Sequence, residues 1–191
     1  MNTKQEIIDS IRKQPIEKID MPDLSSLHFP IEDKETTFIS SCEFVGGKVV
    51  SLNEQSLDSI IKKLYPEAKS IVTNLSIEGM NTIHPDEFDT PHQLANTDVA
   101  IIEGTFGVAE NGAVWIPKNT KHRALYFIAE NLIILLDRNK LVSNMHDAYD
   151  EISDLEYEFG VFISGPSKTA DIEQALVIGA HGAKEVTIVL R

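Results

Sequence analysis

Short apolar runs alternate with amphipathic stretches along most of the chain. Runs of apolar, often β-branched residues predict strands, and they lie at 48–52, 70–75, 99–102, 132–136 and 186–190. Apolar residues spaced three and four positions apart predict amphipathic helices, which cover 3–14, 35–45, 56–65 and 140–152. Because strands that alternate with helices usually pair in parallel, the pattern predicts a mostly parallel sheet with helices on both faces.

One pair of strands departs from this alternation. Residues 106–109 and 113–116 are apolar, and Asn111 and Gly112 lie between them. Asn-Gly between two apolar runs is a strong signal for a tight hairpin turn. The chain is therefore predicted to be a single α/β domain whose parallel sheet carries an antiparallel hairpin.

The last quarter of the chain has the pattern of a strand, a helix and a strand. An apolar run at 161–163 ends at Gly165-Pro166, and a helical pattern follows Thr169. The run at 186–190 then closes the chain. Two short β-rich runs that flank one helix predict a βαβ crossover with parallel strands.

The start of that helix admits two interpretations. Ser167 and Thr169 suit the capping of free backbone N–H groups, and Asp171 and Glu173 lie where the helix dipole favours anions. Alternatively, the loop 165–169 holds a phosphate or carboxylate through its backbone donors. The two acidic residues oppose an incoming anion unless a neighbouring lysine compensates, so capping is the more ordinary interpretation.

His181 lies in the turn that ends the predicted helix, between Gly179 and Gly182. Either glycine suits the left-handed backbone conformation that commonly follows a helix. The histidine then either hydrogen-bonds the last helix carbonyls or acts as a titrating group at the mouth of the next strand.

Two polar segments are further candidates for a site. The segment 76–96 contains two histidines and three carboxylates, but without the spacing of a zinc motif: His84, Asp86, Glu87, Asp89 and His92. Solvated loop polarity is the default interpretation, although this loop follows a predicted parallel strand, at the end where open α/β sheets bind ligands. The basic patch K-N-T-K-H-R at 118–123 is either an anion-recognition site or a solvated turn.

Residues 1–33 are predicted to form an N-terminal helix and an extended arm, separate from the domain at 34–191. The helix begins with a Thr3-x-x-Glu6 capping box, and prolines interrupt the segment that follows. Such an arm packs either on a partner subunit, giving a homo-oligomer, or around its own domain. The sequence leaves both alternatives open.

Composition narrows the classes of partner. A formal net charge of -13 disfavours nucleic acid and anionic membranes as partners. The single cysteine, Cys42, excludes an intramolecular disulfide and a thiolate cage for zinc or an iron–sulfur cluster within one chain. No apolar signal segment follows Met1 and no apolar run reaches the length of a membrane helix, so we expect a cytoplasmic protein without metal or cofactor.

The segment GPSKTADIEQALVIGAHGAKEVTIVL at the C-terminus resembles the signature of the LUD-domain family, in its lactate-utilisation protein C branch. The resemblance is long and ungapped, and it covers most of the chain from about residue 45. It implies a fold similar to that of the NagB, RpiA and coenzyme A transferase-like superfamily. Ala109-Glu110-Asn111-Gly112 also resembles the centre of a transferase motif that contains a nucleophilic glutamate, while lacking its leading Ser and final Gly.

From these motifs we expect Glu110 and His181 as catalytic candidates. Glu103 follows a buried strand and is a comparable candidate for hydrogen-bonding a ligand hydroxyl. The ligand-binding candidates are Glu103, Gly104, Thr105, Asn111, Gly112, Gly165, Ser167, Thr169, Asp171 and Glu173.

The resemblance implies a non-redox component of lactate utilisation that works with iron–sulfur partner proteins in oxidising L-lactate to pyruvate. A competing hypothesis is a free-standing enzyme or binding protein for a phosphorylated sugar, a folate or a coenzyme A ester. It predicts that the candidate residues converge on one pocket. A third hypothesis, a pure interaction module, predicts that they are scattered.

Overall fold

The computed structural model describes residues 3–13, 20, 22, 30–53, 55–153, 155–170, 176–179 and 181–191. The helices are α1 (Thr3–Lys13), α2 (Lys34–Phe44), α3 (Leu57–Leu64), α4 (Leu125–Ile128) and α5 (Met145–Ser153). The strands of the first half are β1 (Lys48–Ser51), β2 (Ile71–Thr73), β3 (Val99–Glu103), β4 (Phe106–Val108) and β5 (Ala113–Pro117). The later strands are β6 (Asn131–Leu136), β7 (Leu141–Val142), β8 (Gly160–Ile163), β9 (Lys168–Ala170), β10 (Leu176–Ile178) and β11 (Glu185–Leu190).

A five-stranded sheet in the order β1-β11-β6-β3-β2 forms the centre of the molecule, and all of its strand pairs are parallel. Its strands correspond to the five apolar runs of the sequence. All of their carboxyl ends therefore lie at one edge of the sheet and all of their amino ends at the other. The prediction of a mostly parallel α/β sheet is confirmed.

Helices cover both faces of this sheet. On one face, α2 and α4 contribute Phe38, Cys42 and Leu125 to a core that includes Leu132 and Ile134. On the other face, the apolar stripe of α3 packs on alternate residues of the same strands: Ile60 and Ile61 contact a cluster with Val99, Ile101, Ile133, Leu135 and Val189. Because successive side chains of a strand point to opposite faces of the sheet, the same strands contribute apolar residues to the cores on both faces.

A second sheet, in the order β7-β4-β5-β8, holds the predicted hairpin. Strands β4 and β5 are antiparallel, and Gly112 in the turn between them has φ +65°. The turn therefore needs a glycine at this position. Trp115 and Phe106 pack against Ala148 and Ile152 of α5, so this sheet has its own apolar contact with a helix.

The predicted βαβ crossover at the C-terminus is wrong. Strand β8 pairs antiparallel with β5 in the second sheet, not with the central sheet. Where a helix was expected, β9 and β10 form an antiparallel ribbon, with Val177 opposite Thr169. The ribbon continues in the hydrogen bond from the Gly179 N–H to the Ser167 carbonyl. Tertiary pairing and the β-branched pair Val177-Ile178 outweigh the weak helical spacing of this short segment.

One other predicted helix begins later than expected. The helix expected at 140–152 begins only at Met145, because Leu141 and Val142 pair with β4, and the side chain of Asn144 accepts a hydrogen bond from the Asp147 N–H at the helix start. Helix α1 has the expected bounds to within a residue. Most of the predicted arm over 15–33 lies outside the described residues. None of the helices in the described part of the chain combines the length and apolar character needed to cross a bilayer.

Candidate functional site

A cleft of about 290 Å³ lies near the amino ends of β6 and β11, and we call it the C-terminal cleft. The loop 164–168 forms one wall, and residues 181–183 form another. The aromatic residues Tyr126, Phe127 and Phe162 and the strand residues Leu132 and Val186 complete it. The cleft therefore brings together Gly165, Ser167 and His181 from the predicted site residues.

The wall 164–168 is held by contacts with the end of α2. Gly165 has φ +65°, and a Cβ atom there would lie 2.7 Å from the Val45 carbonyl oxygen, so only glycine fits without strain. The Lys168 ammonium group donates to the same carbonyl oxygen. The Ser167 N–H donates to the Ala183 carbonyl at 3.0 Å, which joins the two walls.

The charge of the cleft differs from that of the whole molecule. The chain has 30 Asp and Glu residues and 17 Lys and Arg residues. The described residues that line the cleft nevertheless include neither Asp nor Glu, while Lys168 and His181 are among them. Apolar and aromatic walls with a few polar groups are typical of small-molecule sites. The cleft is therefore suited to a small ligand that carries a carboxylate or phosphate.

The hairpin turn lies beside this cleft and supports it. The Ser164 hydroxyl donates to the Asn111 carbonyl at 2.7 Å. Gly112 packs against α2, where a Cβ atom would come within 2.7 Å of the Cys42 nitrogen. Asn111 uses its side-chain oxygen to accept from the Ala113 N–H. Asn111 and Gly112 thus touch the structure around the cleft, and neither is among the residues that line it.

The Glu110 carboxylate contacts helix α5. Its Oε1 accepts a hydrogen bond of 2.7 Å from the Met145 N–H at the first residue of α5. A carboxylate at a helix N-terminus satisfies a free donor and interacts favourably with the helix dipole. Glu110 and His181, the two catalytic candidates, are therefore not members of one cavity lining in the described structure.

Glu103, Gly104 and Thr105 lie at the opposite edge of the central sheet from His181. Glu103 ends β3 and forms an ion pair with Arg191, which follows β11. A Cβ atom at Gly104 would lie 2.3 Å from a methyl group of Val114, so this glycine allows the two sheets to approach. Thr105 lines a separate cavity of about 480 Å³. Gly165, Ser167 and His181 therefore lie near one edge of the central sheet. Glu103, Gly104 and Thr105 lie at the other edge.

For three other predicted site residues, the structure gives little or no side-chain information. Asp171 and Glu173 lie outside the described residues. Thr169 belongs to β9 through its backbone.

Ser164 and the aromatic pair Tyr126 and Phe127 line the cleft but are not among the predicted site residues, and nothing in the local sequence pattern marks them. They reach the cleft because distant segments meet there.

The one cysteine belongs to the core. Cys42 is 2% exposed, and burial raises the pKa of its thiol to about 12. Since the thiolate is the reactive form, this thiol is inert near neutral pH.

The two polar segments of the sequence contact each other. Asp86 accepts a hydrogen bond of 2.7 Å from the Lys121 N–H, and a ring nitrogen of His122 lies 2.9 Å from the Phe88 carbonyl oxygen. Part of the basic patch thus binds the loop 76–96. In the parts of the chain that the structure describes, no group of three or more His, Cys, Asp or Glu side chains is arranged to hold a metal ion.

Comparison with known proteins agrees with this architecture. The model of the LUD domain family matches residues 36–190. Lactate utilization protein C of Oceanobacillus iheyensis is 32% identical over 178 aligned positions, covering 78% of this chain and 76% of that protein. Lactate utilization protein C of Shouchella clausii is 33% identical over 106 positions, covering 51% of this chain and 46% of that protein. The match thus spans about half of the second relative and three quarters of the first.

A solved structure has the same fold. The crystal structure of a DUF162 family protein from Deinococcus radiodurans superposes with a TM-score of 0.62, and covers 83% of this chain and 96% of that chain. The two sequences are 13% identical, so the likeness concerns the fold alone. Because the family model matches most of the sequence, this chain belongs to the LUD domain family.

Proposed function

We propose that this protein is a non-redox component of a lactate-utilisation system, in which iron–sulfur partner proteins oxidise L-lactate to pyruvate. The observation that carries the proposal is the 32% identity to a lactate utilization protein C over 78% of this chain. The chain has one cysteine, which is buried. Since iron–sulfur clusters are usually held by four cysteine thiolates, the electron carrier belongs to a partner.

In this proposal the C-terminal cleft binds the carboxylate of lactate or pyruvate. The Lys168 ammonium group and the His181 ring supply hydrogen-bond donors, and charge-assisted bonds to a carboxylate are the stronger kind. Ser167 lies beside them in the lining. The apolar surface from Leu132 and Val186 suits the methyl group of these small acids. Binding is the role assigned to this chain, and the redox step takes place elsewhere.

Calorimetric titration of the purified protein with L-lactate and pyruvate tests the cleft. Binding should be at least about tenfold weaker in Lys168→Met and His181→Ala, because each removes a donor to the carboxylate. Lys184→Met and His146→Ala are matched controls that change the same residue types outside the cleft lining, and their affinity should equal that of the wild type.

Two results would contradict the proposal. One is binding of a phosphorylated sugar, a folate or a coenzyme A ester in place of lactate and pyruvate, which favours the free-standing alternative. The other is unchanged growth on L-lactate after deletion of the gene in its own host. Capture of iron–sulfur proteins by the tagged wild-type chain tests the partner independently of the ligand.

A further inference from the structure

The C-terminal cleft is larger than the acids that the proposed function assigns to it. Its volume is about 290 Å³. A lactate or pyruvate ion replaces about four water molecules, or about 120 Å³ at about 30 Å³ per molecule. Either ion therefore fills less than half of the cleft. Because unfilled space forfeits the contacts of a close-packed site, the remaining volume indicates a longer ligand.

Apolar surface that a ligand can reach lies in the same cleft as the polar groups. Phe127 lines the cleft and is 39% exposed, and Ile163 lines it and is partly buried. Lys168 and His181 are exposed at the same cleft. A ligand that enters the cleft thus meets both cationic or polar donors and an apolar wall.

The aromatic residues of the lining differ in how far other contacts occupy them. Tyr126 is 2% exposed, and its hydroxyl accepts from the Asn119 N–H at 3.1 Å. The Phe162 ring packs on Trp115 with a centroid distance of 4.8 Å, as part of the core beneath α5. The Phe127 ring meets Tyr126 edge to face at 6.2 Å and still keeps two fifths of its surface exposed. Phe127 is therefore the aromatic ring of this lining that offers the most surface to a ligand.

These groups favour a ligand that joins a carboxylate to an apolar side chain. The ammonium group of Lys168 gives one of its N–H donors to the Val45 carbonyl, and the others remain for a carboxylate. Apolar burial stabilises a complex in proportion to the area that leaves water. A methyl group offers little such area, whereas a branched alkyl or phenyl group can cover Phe127.

We propose that the C-terminal cleft prefers 2-hydroxy and 2-oxo monocarboxylates whose side chain is larger than a methyl group. Phe127 is the residue that determines this preference, by packing against the side chain of the ligand. The 2-hydroxy or 2-oxo group rests on the proposed function, which assigns acids of the lactate type to this cleft. The preference for size rests on the volume and the lining of the cleft.

Calorimetric titration of the whole wild-type chain tests the preference without any substitution. The probes are L-lactate, L-2-hydroxybutyrate, L-2-hydroxyisocaproate and L-3-phenyllactate. Their Kd should fall along this series and should be at least about tenfold lower for 3-phenyllactate than for lactate, because each added carbon buries more apolar surface. The neutral compound 3-phenylpropane-1,2-diol keeps the ring but lacks the carboxylate, and it should bind at least about tenfold more weakly than 3-phenyllactate.

The variant Phe127→Ala locates the apolar contact. It should raise the Kd of 3-phenyllactate about tenfold more than that of L-lactate, because only the larger acid covers the ring. Phe44→Ala is the matched control, since Phe44 is 89% exposed and lies outside the cleft lining. It should leave the preference for the larger acid unchanged.

Three results would overturn the inference. The first is a Kd that stays constant or rises along the series of acids. The second is equal binding of 3-phenyllactate and the neutral diol, and the third is an equal effect of Phe127→Ala on the binding of both acids.

Failure of this inference is distinguishable from failure of the proposed function. If L-lactate binds, loses affinity in Lys168→Met and is bound no more weakly than the larger acids, the size preference is wrong and the lactate site stands. If 3-phenyllactate binds through Phe127 and L-lactate does not bind detectably, the size preference is confirmed and the assignment of lactate to the cleft is wrong.

Discussion

The central sheet and the two walls of the C-terminal cleft, residues 164–168 and 181–183, are held in place by different kinds of contact. Ile134 in the sheet is fully buried, in the core to which α2 and α4 contribute. The cleft walls rely on polar bonds, such as that from the Ser164 hydroxyl to the Asn111 carbonyl. In the adjoining ribbon β9–β10, Ile178 is 53% exposed. Apolar burial therefore supplies the stability of the fold, while a few polar and close backbone contacts set the shape of the cleft.

The largest expected difference in stability is between two Ile→Ala substitutions, one in the central sheet and one in the ribbon β9–β10. Ile134→Ala should lower the free energy of unfolding by about 2–5 kcal/mol, because it leaves a cavity in the core. Ile178→Ala removes a side chain that is half exposed and should cost about 0.5 kcal/mol or less. Urea denaturation of both variants measures the gap. Equal losses would mean that the ribbon β9–β10 contributes to stability as much as the sheet does.

Substitutions at two glycines distinguish destabilisation by close packing from destabilisation by backbone strain. Gly112 and Gly79 have φ values of +65° and +78°. A Cβ atom at Gly112 would lie 2.7 Å from the backbone nitrogen of Cys42, whereas at Gly79 its nearest neighbour would be a side-chain oxygen of Asp58 at 3.5 Å.

Gly112→Ala should therefore destabilise the protein by about 1–3 kcal/mol more than Gly79→Ala, since both variants carry the strain and only the first is overpacked. The same denaturation experiment measures this difference. Similar losses in the two variants would show that the hairpin turn does not pack tightly on α2.

The same contrast explains which parts of the molecule could be predicted from the sequence. The five strands of the central sheet were recognisable because each is a short apolar run, and burial on both faces requires such runs. Asn111-Gly112 predicted its hairpin because few residue pairs adopt that turn. These signals are local, and the structure confirms them.

In the C-terminal quarter the strands predicted at 161–163 and 186–190 are confirmed. The helix and the parallel crossover predicted between them are wrong, because β8 pairs with the distant strand β5. Residues 168–178 have a weak helical spacing, yet β9 and β10 pair with each other, and the adjoining Ser167 N–H bonds to Ala183. The cleft residues Tyr126 and Phe127 come from α4, about 40 positions away along the chain. Sequence alone could name Gly165, Ser167 and His181 as candidates, but it could not indicate which residues face them.

Glu110 provides a smaller and sharper test. Glu110→Gln keeps an oxygen that accepts from the Met145 N–H but removes the negative charge at the start of α5. The loss should be about 0.3–1 kcal/mol and should shrink at high salt, as expected for an interaction with the helix dipole. Glu151→Gln, in the second turn of the same helix and away from its N-terminus, is the control and should have a smaller effect. Unchanged stability together with lost ligand binding would instead favour the predicted catalytic role of Glu110.

The smallest expected effect depends on pH and concerns Asp98, at the amino edge of the central sheet. The N–H groups of Ser70 and Lys69 both donate to its Oδ2, at 2.9 and 2.7 Å, and they hold the pKa of this carboxyl below its ordinary value. The folded state therefore favours the ionised form. Its contribution to stability is complete above the ordinary carboxyl pKa and is lost as the pH falls through the lower pKa of the folded state.

Asp98→Asn offers one amide oxygen to the same two N–H groups without the charge. Its Tm should be lower than that of the wild type at pH 7, and the two values should converge as the pH is lowered from about 4 toward 2, because the wild type then loses its charged acceptor. Thermal unfolding across this range measures the gap. A gap that stays constant with pH would mean that the loss comes from the geometry of the amide, and that the charge of Asp98 does not help to join β2 and β3 at this edge.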